Sequence, residues 1–369
     1  VLIKYLAYEY QSIFSFLNIF SYITFRAGAS ILTGLFFSLI FGNYIITKLS
    51  NIQPTGQPIR EDGPESHIIL KKGTPTMGGL LIILSVLVST ILWADLKNNF
   101  IWISILSCLS FGLIGFYDDY LKVKSNSSIG LKAKTRVILQ LLICLFVVYF
   151  IQITLVTDFA TSISFPFFKN LIIDFGVFYY FIAIFIIIGS ANAVNLTDGL
   201  DGLAIGLLAI CFSVFAAVSY ITGRIDFSDY LNILYLPNAG ELSVFSSAMV
   251  GACLGFLWFN TSPAEIFMGD TGSLSTGAAL GTLAIVLKKE LLLFIIGGVF
   301  VFETISVIIQ VLFFRYTRFK YGRGERFFNM APIHHHYELV GTKESKIVVR
   351  FWIVGILLAL FSLTTFKIR

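Results

Sequence analysis

Residues 192–202, NAVNLTDGLDG, crowd two amides and two carboxylates between two long apolar runs. Acids at a membrane boundary are costly to keep there, which makes them candidates for function. Asp118-Asp119 closes a second apolar run, and Asp270 opens a third. Adjacent carboxylates can act as a general base and its neighbour, or hold a divalent cation. Asp118 and Asp119 fall at the C-terminal end of a predicted helix, where the dipole disfavours acids, so simple anchoring explains them poorly. Asp198, Asp201 and Asp270 each precede an apolar run, and helix capping is the plainer account of any one alone. Their neighbours argue otherwise. Asn192 and Asn195 add amide groups, and Gly199 and Gly202 let the backbone approach a ligand closely.

Other segments carry complementary groups. Residues 71–79, KKGTPTMGG, join Lys71, Lys72 and Thr76 to glycines that could expose backbone N–H groups to an oxyanion, although a positive anchor beside a span is the plainer reading. The spacing of a P-loop is absent. Lys122 would lie near Asp118 if the helix continued one turn. Residues 259–273, FNTSPAEIFMGDTGS, put Asn260 and Phe267 beside Asp270, an amide and an aromatic that suit a flat base. His334-His335-His336 holds three of the four histidines. Consecutive positions do not make a helix-borne zinc pair, but these imidazoles could donate to phosphate or to a leaving group. Arg315, Arg318, Lys320, Arg323 and Arg326 precede them, a pattern that fits an amphipathic segment against anionic lipid. Glu303 and Gln310 stand seven apart within an apolar span, hence on one helical face, where they satisfy each other's neighbours in the bundle or line the site wall. No Ser-His-Asp order or cysteine nucleophile is evident. The set suits Mg²⁺-dependent phosphoryl transfer, in which a metal and cationic donors stabilise charge on departing phosphate.

These groups need a membrane scaffold. The chain has 369 residues, 57% hydrophobic and 13% charged, with mean hydropathy +0.86. A soluble domain is nearer to half apolar and a quarter charged. The fold class expected is therefore all-α and polytopic, one integral-membrane domain over residues 1–369. The four cysteines lie in apolar runs and read as neither disulfides nor a thiolate metal site. The net charge of +5 comes from membrane-flanking loops and is no sign of nucleic-acid binding. No cleavable signal peptide is recognisable. Ten spans are predicted, at 30–47, 79–94, 100–117, 137–155, 171–189, 202–221, 242–259, 274–287, 291–313 and 348–366. The first 28 residues, with Lys4, Glu9 and Arg26, read as an interfacial helix. Residues 274–313 would be too long for one crossing, so two spans with a charged hairpin at 288–290 are expected. Five loops on one side then hold or adjoin 17 of the 26 Lys and Arg residues. Basic excess marks the cytoplasmic side, which puts both termini outside and every acid motif on the cytoplasmic face.

Five ordered motifs resemble the MraY translocase family, the phospho-N-acetylmuramoyl-pentapeptide-transferases: KKGTPTMGG at 71–79, DDYLK at 118–122, NAVNLTDGLDG at 192–202, FNTSPAEIFMGDTGS at 259–273 and MAPIHHHYE at 330–338. The resemblance covers nearly the whole chain. It implies transfer of phospho-MurNAc-pentapeptide from its UDP carrier to undecaprenyl phosphate, giving lipid I and UMP, in the bacterial inner membrane. It implies Mg²⁺ with Asp270 as ligand, Asp118 as base on the lipid phosphate with Asp119 beside it, and His334, His335 and His336 as phosphate or sugar contacts. The family's nucleoside pocket carries over to Lys71, Asn260 and Phe267, with Asp198 and Asp201 nearby. Thr76, Lys122, Asn192, Asn195 and Gln310 complete the expected substrate-binding set. The lipid bilayer is the expected setting, a homodimer is compatible with the resemblance, and no nucleic acid is expected. Arg136 stands where a family lysine is expected. The close rival is a relative that loads N-acetylglucosamine phosphate. The rival of another class is an ion-coupled transporter, which would place its ionisable groups at the midplane.

Overall fold

The computed structural model describes residues 14–57, 71, 73–155, 159–168 and 171–368. Among these, ten helices have 15 residues or more: α1 (Ile23–Ile52), α2 (Gly79–Trp93), α3 (Asn99–Ser125), α4 (Ala133–Thr154), α5 (Phe178–Thr197), α6 (Leu203–Thr222), α7 (Leu242–Asn260), α8 (Gly269–Val286), α9 (Gly298–Tyr321) and α10 (Glu344–Ile368). Eight helices are long and apolar enough to cross a membrane, and α2 is a shorter apolar helix. The chain is a polytopic membrane protein, nearly all helical, as its hydropathy predicts. A short antiparallel hairpin of β1 (Ser162–Ser164) and β2 (Ile172–Asp174), with Ile163 opposite Ile173, is, among the described residues, the departure from an all-α fold.

Several predicted boundaries move. Helix α3 does not stop at Tyr117 but continues to Ser125, so Asp118 and Asp119 lie two turns inside it. An i,i+4 ion pair between Lys122 Nζ and Asp118 Oδ2, 2.5 Å long, supports the added turns. The span expected at 171–189 begins instead at Phe178, after β2 and a turn at Gly176, whose φ of +49° suits glycine. Helix α5 then runs to Thr197 and carries Asn192 and Asn195, which a loop was expected to hold. Asn192 fits there because its Nδ2 donates to the Ile188 carbonyl one turn back, at 2.8 Å. Residues 274–313 do form separate helices, with a further break: a short helix, Glu290–Ile296, lies between α8 and α9. The interfacial reading of the first 28 residues fails from Ile23 onward, because α1 starts there. Arg26 does not end it, being buried and paired through both Nη atoms with Glu241. Residues 1–13, with Lys4 and Glu9, and Lys72 lie outside the described residues.

Helix α8 is the axis of the bundle and is buried from Thr271 to Val286. Its Gly, Ala, Ser and Thr residues let neighbouring backbones come close, the usual source of packing where lipid gives no hydrophobic drive. A Cβ on Gly79 of α2 would lie 2.1 Å from Gly272 N, and one on Gly115 of α3 would lie 2.1 Å from the Asp270 carbonyl oxygen. Ser107 and Thr282 share a buried hydroxyl hydrogen bond of 2.7 Å. These contacts bring the C-terminal half of α3 and the start of α2 against the first turn of α8. The C-terminal ends of α5 and α7 and the N-terminal ends of α4, α6 and α10 meet at the same end of the bundle, through Arg136–Asn195, Gly202–Asn260 and Asp201–Glu344 hydrogen bonds. The opposite end is closed by Arg26–Glu241, Asn98–Asn238 and Tyr179–Glu290 contacts.

Candidate active site at one end of the bundle

Asp118, Asp119 and Asp270 meet. One carboxylate oxygen of each lies within 4.8 Å of the others. Lys122 Nζ stands among them, 2.5 Å from Asp118, 2.9 Å from Asp270 and 3.8 Å from Asp119. The three acids differ in their remaining partners. Asp119 accepts from the backbone N–H groups of Asp270 and Thr271 and from the Thr271 hydroxyl, at 3.2, 2.9 and 2.7 Å. It therefore closes the N-terminus of α8, whose own N-cap, Met268, supplies no side-chain bond. Asp118 accepts from Leu131 N at 2.7 Å, and a Cβ on Gly130 would sit 2.6 Å from its oxygens. Asp270, in the first turn of α8, accepts from Asn195 Nδ2 at 2.6 Å and from Arg136 Nη1 at 3.2 Å.

Arg136 resolves its own question. Its guanidinium bonds Asp270, Asn192 Oδ1 and Asn195 Oδ1 together, at 3.2, 3.2 and 3.1 Å, and so ties α4 to α5 and α8. A lysine has no such planar fork. Asn192 is further held by Gln140, and Asn195 by Ser273. Three carboxylates whose oxygens lie this close offer hard donors that could hold a divalent cation such as Mg²⁺ or Ca²⁺, a place that the Lys122 ammonium now shares.

The capping explanation of the acids fails residue by residue. Asp198 follows α5 as its C-cap, and the N-cap of α6 is Gly202, with no side-chain cap. Asp201 turns away to accept from Ala264 N at 3.1 Å and to pair with Lys71 Nζ at 2.8 Å. Lys71 also meets Glu344 Oε1 at 2.8 Å and lies 5.9 Å from the Phe267 ring centroid. Burial works against the Lys71 charge, but Asp201 and Glu344 together hold its ammonium above the ordinary lysine range. Asp198 is half-buried, and burial, then the charges of Asp270 and Asp119, push its carboxyl up to about 7. Asn260 is fully engaged within the protein, accepting from Gly202 N at 3.0 Å and donating to the Ile266 carbonyl at 2.8 Å. It braces the pocket around half-buried Phe267. Thr76 is buried against Gln53, and among the described residues its hydroxyl has no hydrogen-bond partner, although a Cβ on Gly269 would lie 2.5 Å from it.

The histidines form a second wall on a short helix, Ile333–Leu339. His334 is fully buried, with Nδ1 3.1 Å from Glu303 Oε2. A Cβ on Gly199 would lie 2.3 Å from His334 Nε2 and 3.2 Å from His335 Nε2, so both rings abut the turn that carries Asp198. His335 pairs with Glu338 at 2.7 Å. His336 Nδ1 accepts from Asn329 N at 3.2 Å. Gln310 does not join Glu303; its Oε1 accepts from Phe327 N and Phe328 N and pins the loop that leads to the histidines. Sequence reasoning missed Glu344, Thr271 and Gln140. Glu344 had one faint signal, an acid four residues before the predicted last span, which reads equally as dipole complement.

A membrane bundle with three convergent carboxylates and a flanking lysine–aromatic pocket defines the class: residues 101–288 match the profile of Glycosyl transferase family 4. Residues 71–83 match phospho-N-acetylmuramoyl-pentapeptide-transferase signature 1. The chain is 51% identical to phospho-N-acetylmuramoyl-pentapeptide-transferases from Rickettsia bellii (strain RML369-C), over 95% of this chain and 96% of that protein, and from Thermodesulfovibrio yellowstonii, over 98% of each. The match to the protein of that name from Rickettsia prowazekii (strain Madrid E) is also 51%, over 95% of this chain and 96% of the relative. The chain belongs to the phospho-N-acetylmuramoyl-pentapeptide-transferase family. This sets aside the transporter and the N-acetylglucosamine-loading relative as family assignments.

Proposed function

We propose that the chain works as a single membrane domain that moves phospho-MurNAc-pentapeptide from UDP-MurNAc-pentapeptide to undecaprenyl phosphate, yielding lipid I and UMP, on the cytoplasmic face of the bacterial inner membrane. The observation that carries the reading is the meeting of Asp118, Asp119 and Asp270 around Lys122, at the end of the bundle that also holds the Lys71–Phe267 pocket. The cytoplasmic assignment rests on the basic excess at that end.

In this reading the uracil stacks near Phe267, and Lys71, held in place by Asp201 and Glu344, turns a remaining N–H toward the nucleotide. Asp118 takes the proton of the lipid phosphate and orients it. A lipid phosphate oxygen then attacks the phosphorus that bears the sugar; a P–O bond forms, and the bond to the UMP oxygen breaks. UMP leaves as a phosphate dianion, with Lys122 and Arg136 close enough to offset charge. His335 and His336 contact phosphate or sugar from the opposite wall, and His334, set on Glu303, braces them. Asp270, with Asp118, is the group that would hold Mg²⁺; bound there, the ion would screen the meeting phosphates and stabilise the departing one. Asp119, committed to the α8 N-terminus, positions Asp270.

Purified protein is given each UDP-sugar with undecaprenyl phosphate, with and without Mg²⁺, and UMP release is followed. Release from UDP-MurNAc-pentapeptide that depends on Mg²⁺ is expected, and Asp270→Asn should lower it by at least about 100-fold with normal membrane insertion. Release from UDP-N-acetylglucosamine alone would overturn the substrate, and full activity in Asp270→Asn would overturn the metal assignment. A covalent aspartyl-phosphate trapped on Asp118 would overturn direct attack.

A further inference from the structure

The far end of α9 carries a pattern that the proposed chemistry does not use. The outward side chains of this helix, Phe302, Ile305, Ile308 and Leu312, are exposed apolar groups, the character expected of the lipid-facing side of a helix long and apolar enough to cross a membrane. Past Phe314 the character changes within one continuous helix. Arg315, Arg318 and Lys320 follow, then Arg323 and Arg326 beyond the helix end, all exposed. Glu325 is the single acid across residues 314–328. It pairs with Arg323 at 3.3 Å. Among the described residues Arg315 and Arg318 meet no carboxylate, while Lys320 rests on the Tyr316 and Tyr321 rings.

The geometry gives these groups one direction. Thr317 is the inward residue, 2% exposed. At about 100° per residue, Arg315 and Phe319 stand opposite it, with Arg318 and Tyr316 on either side. Phe319 is 92% exposed. Alternating cations and aromatics of this kind suit the headgroup level of a bilayer. The step from apolar to cationic at Arg315 falls within one continuous helix, as expected where a spanning helix passes from the acyl region to the headgroups. The segment is also coupled to the site. Thr317 Oγ1 accepts from Glu325 N at 2.8 Å, Gln310 Oε1 accepts from Phe327 N and Phe328 N, and Asn329 N donates to His336.

We propose that the Arg315–Arg318–Phe319 face docks on anionic phospholipid headgroups of the surrounding leaflet, and that this docking holds the loop carrying the histidines. The bilayer is favoured over a soluble acidic partner because the face continues a lipid-exposed stripe of one helix.

The full chain is placed in nanodiscs of phosphatidylcholine alone or with about one-third phosphatidylglycerol, with no polyprenyl phosphate present. The four native cysteines are buried, so Tyr321→Cys takes an environment-sensitive dye selectively. A blue shift in the anionic discs is expected, lost in Arg315→Gln/Arg318→Gln and kept in Arg315→Lys/Arg318→Lys. The lysine variant separates loss of charge from loss of the helix. In a second, matching pair of discs that also hold undecaprenyl phosphate and receive UDP-MurNAc-pentapeptide, UMP release should be several-fold higher with phosphatidylglycerol for the parent chain and equal in both for the glutamine variant, since each cation at an anionic surface is worth roughly a fivefold preference. Equal emission in both discs, a shift that survives in the glutamine variant, or a shift that needs added polyprenyl phosphate or an acidic protein would each overturn the proposal.

Discussion

Asp119 on α3 and Thr271 on α8 are joined twice: the Thr271 backbone N–H and hydroxyl both donate to the Asp119 carboxylate, at 2.9 and 2.7 Å. An acid that looks from its motif like half of a catalytic pair is thus the external cap of another helix. The carboxylate meets the positive end of the α8 dipole and satisfies N–H groups that the helix itself cannot. Helix α8 carries Asp270 in the same turn, so the cap also fixes where Asp270 points.

Asp119→Ala should destabilise the protein by about 2 kcal/mol, the usual scale for losing hydrogen bonds to a charged group, and should lower activity through Asp270. Thermal unfolding in detergent reads the first effect and UMP release the second. An unchanged melting temperature with lost activity would make Asp119 a reacting group rather than a cap.

Arg136 bridges Asp270, Asn192 and Asn195. Arg136→Lys keeps the charge and loses the fork, so turnover should fall by roughly tenfold, and Arg136→Ala should cost more. Steady-state UMP release with both variants tests this. A lysine variant as active as the parent would mean that the charge near Asp270 suffices and the bridge to the asparagines is incidental.

Glu344 holds Lys71 beside Phe267 while accepting from Asp201 N. Glu344→Gln should raise KM for the UDP substrate by roughly tenfold, the scale of one charge-assisted contact, and change kcat less, because Lys71 loses its place more than its charge. Glu344→Asp should recover part of the effect. Equal losses in kcat and kcat/KM would place Glu344 at the reacting phosphates.

Asp198 predicts a pH dependence of stability. Burial first, then Asp270 and Asp119, raise its carboxyl from 3.8 to about 7. Between those values the folded state binds a proton that the unfolded chain has released, so stability falls as pH rises through this window and levels off above it. Asp198→Asn removes the penalty: its melting temperature relative to the parent should climb from pH 4 to 7 and stay level at pH 8. A difference independent of pH would show a carboxylate charged throughout.

Much of this molecule is legible in its residues. Span hydropathy anticipates ten long helices, and the five motifs hold the acids, amides and histidines that the helix packing gathers at one end of the bundle, since each depends on local composition or spacing. Boundaries went astray where side chains satisfied themselves out of sight of the pattern. Lys122 extends α3 past Tyr117, and the bond from Asn192 to Ile188 carries α5 through its polar stretch. Which partners each group takes was decided only by the tertiary structure. Asp119 and Asp118 are neighbours in sequence with like charge, yet one caps α8 and the other faces Lys122. Asn260 reads as a ligand group and is bound up in the backbone of two loops. Glu344, more than 140 residues from Asp201 and farther still from Lys71, completes their ion pair. A hydrogen bond is directional and short, so its partners are fixed by helix packing in three dimensions, while the apolar periodicity that builds the helices is written along the chain.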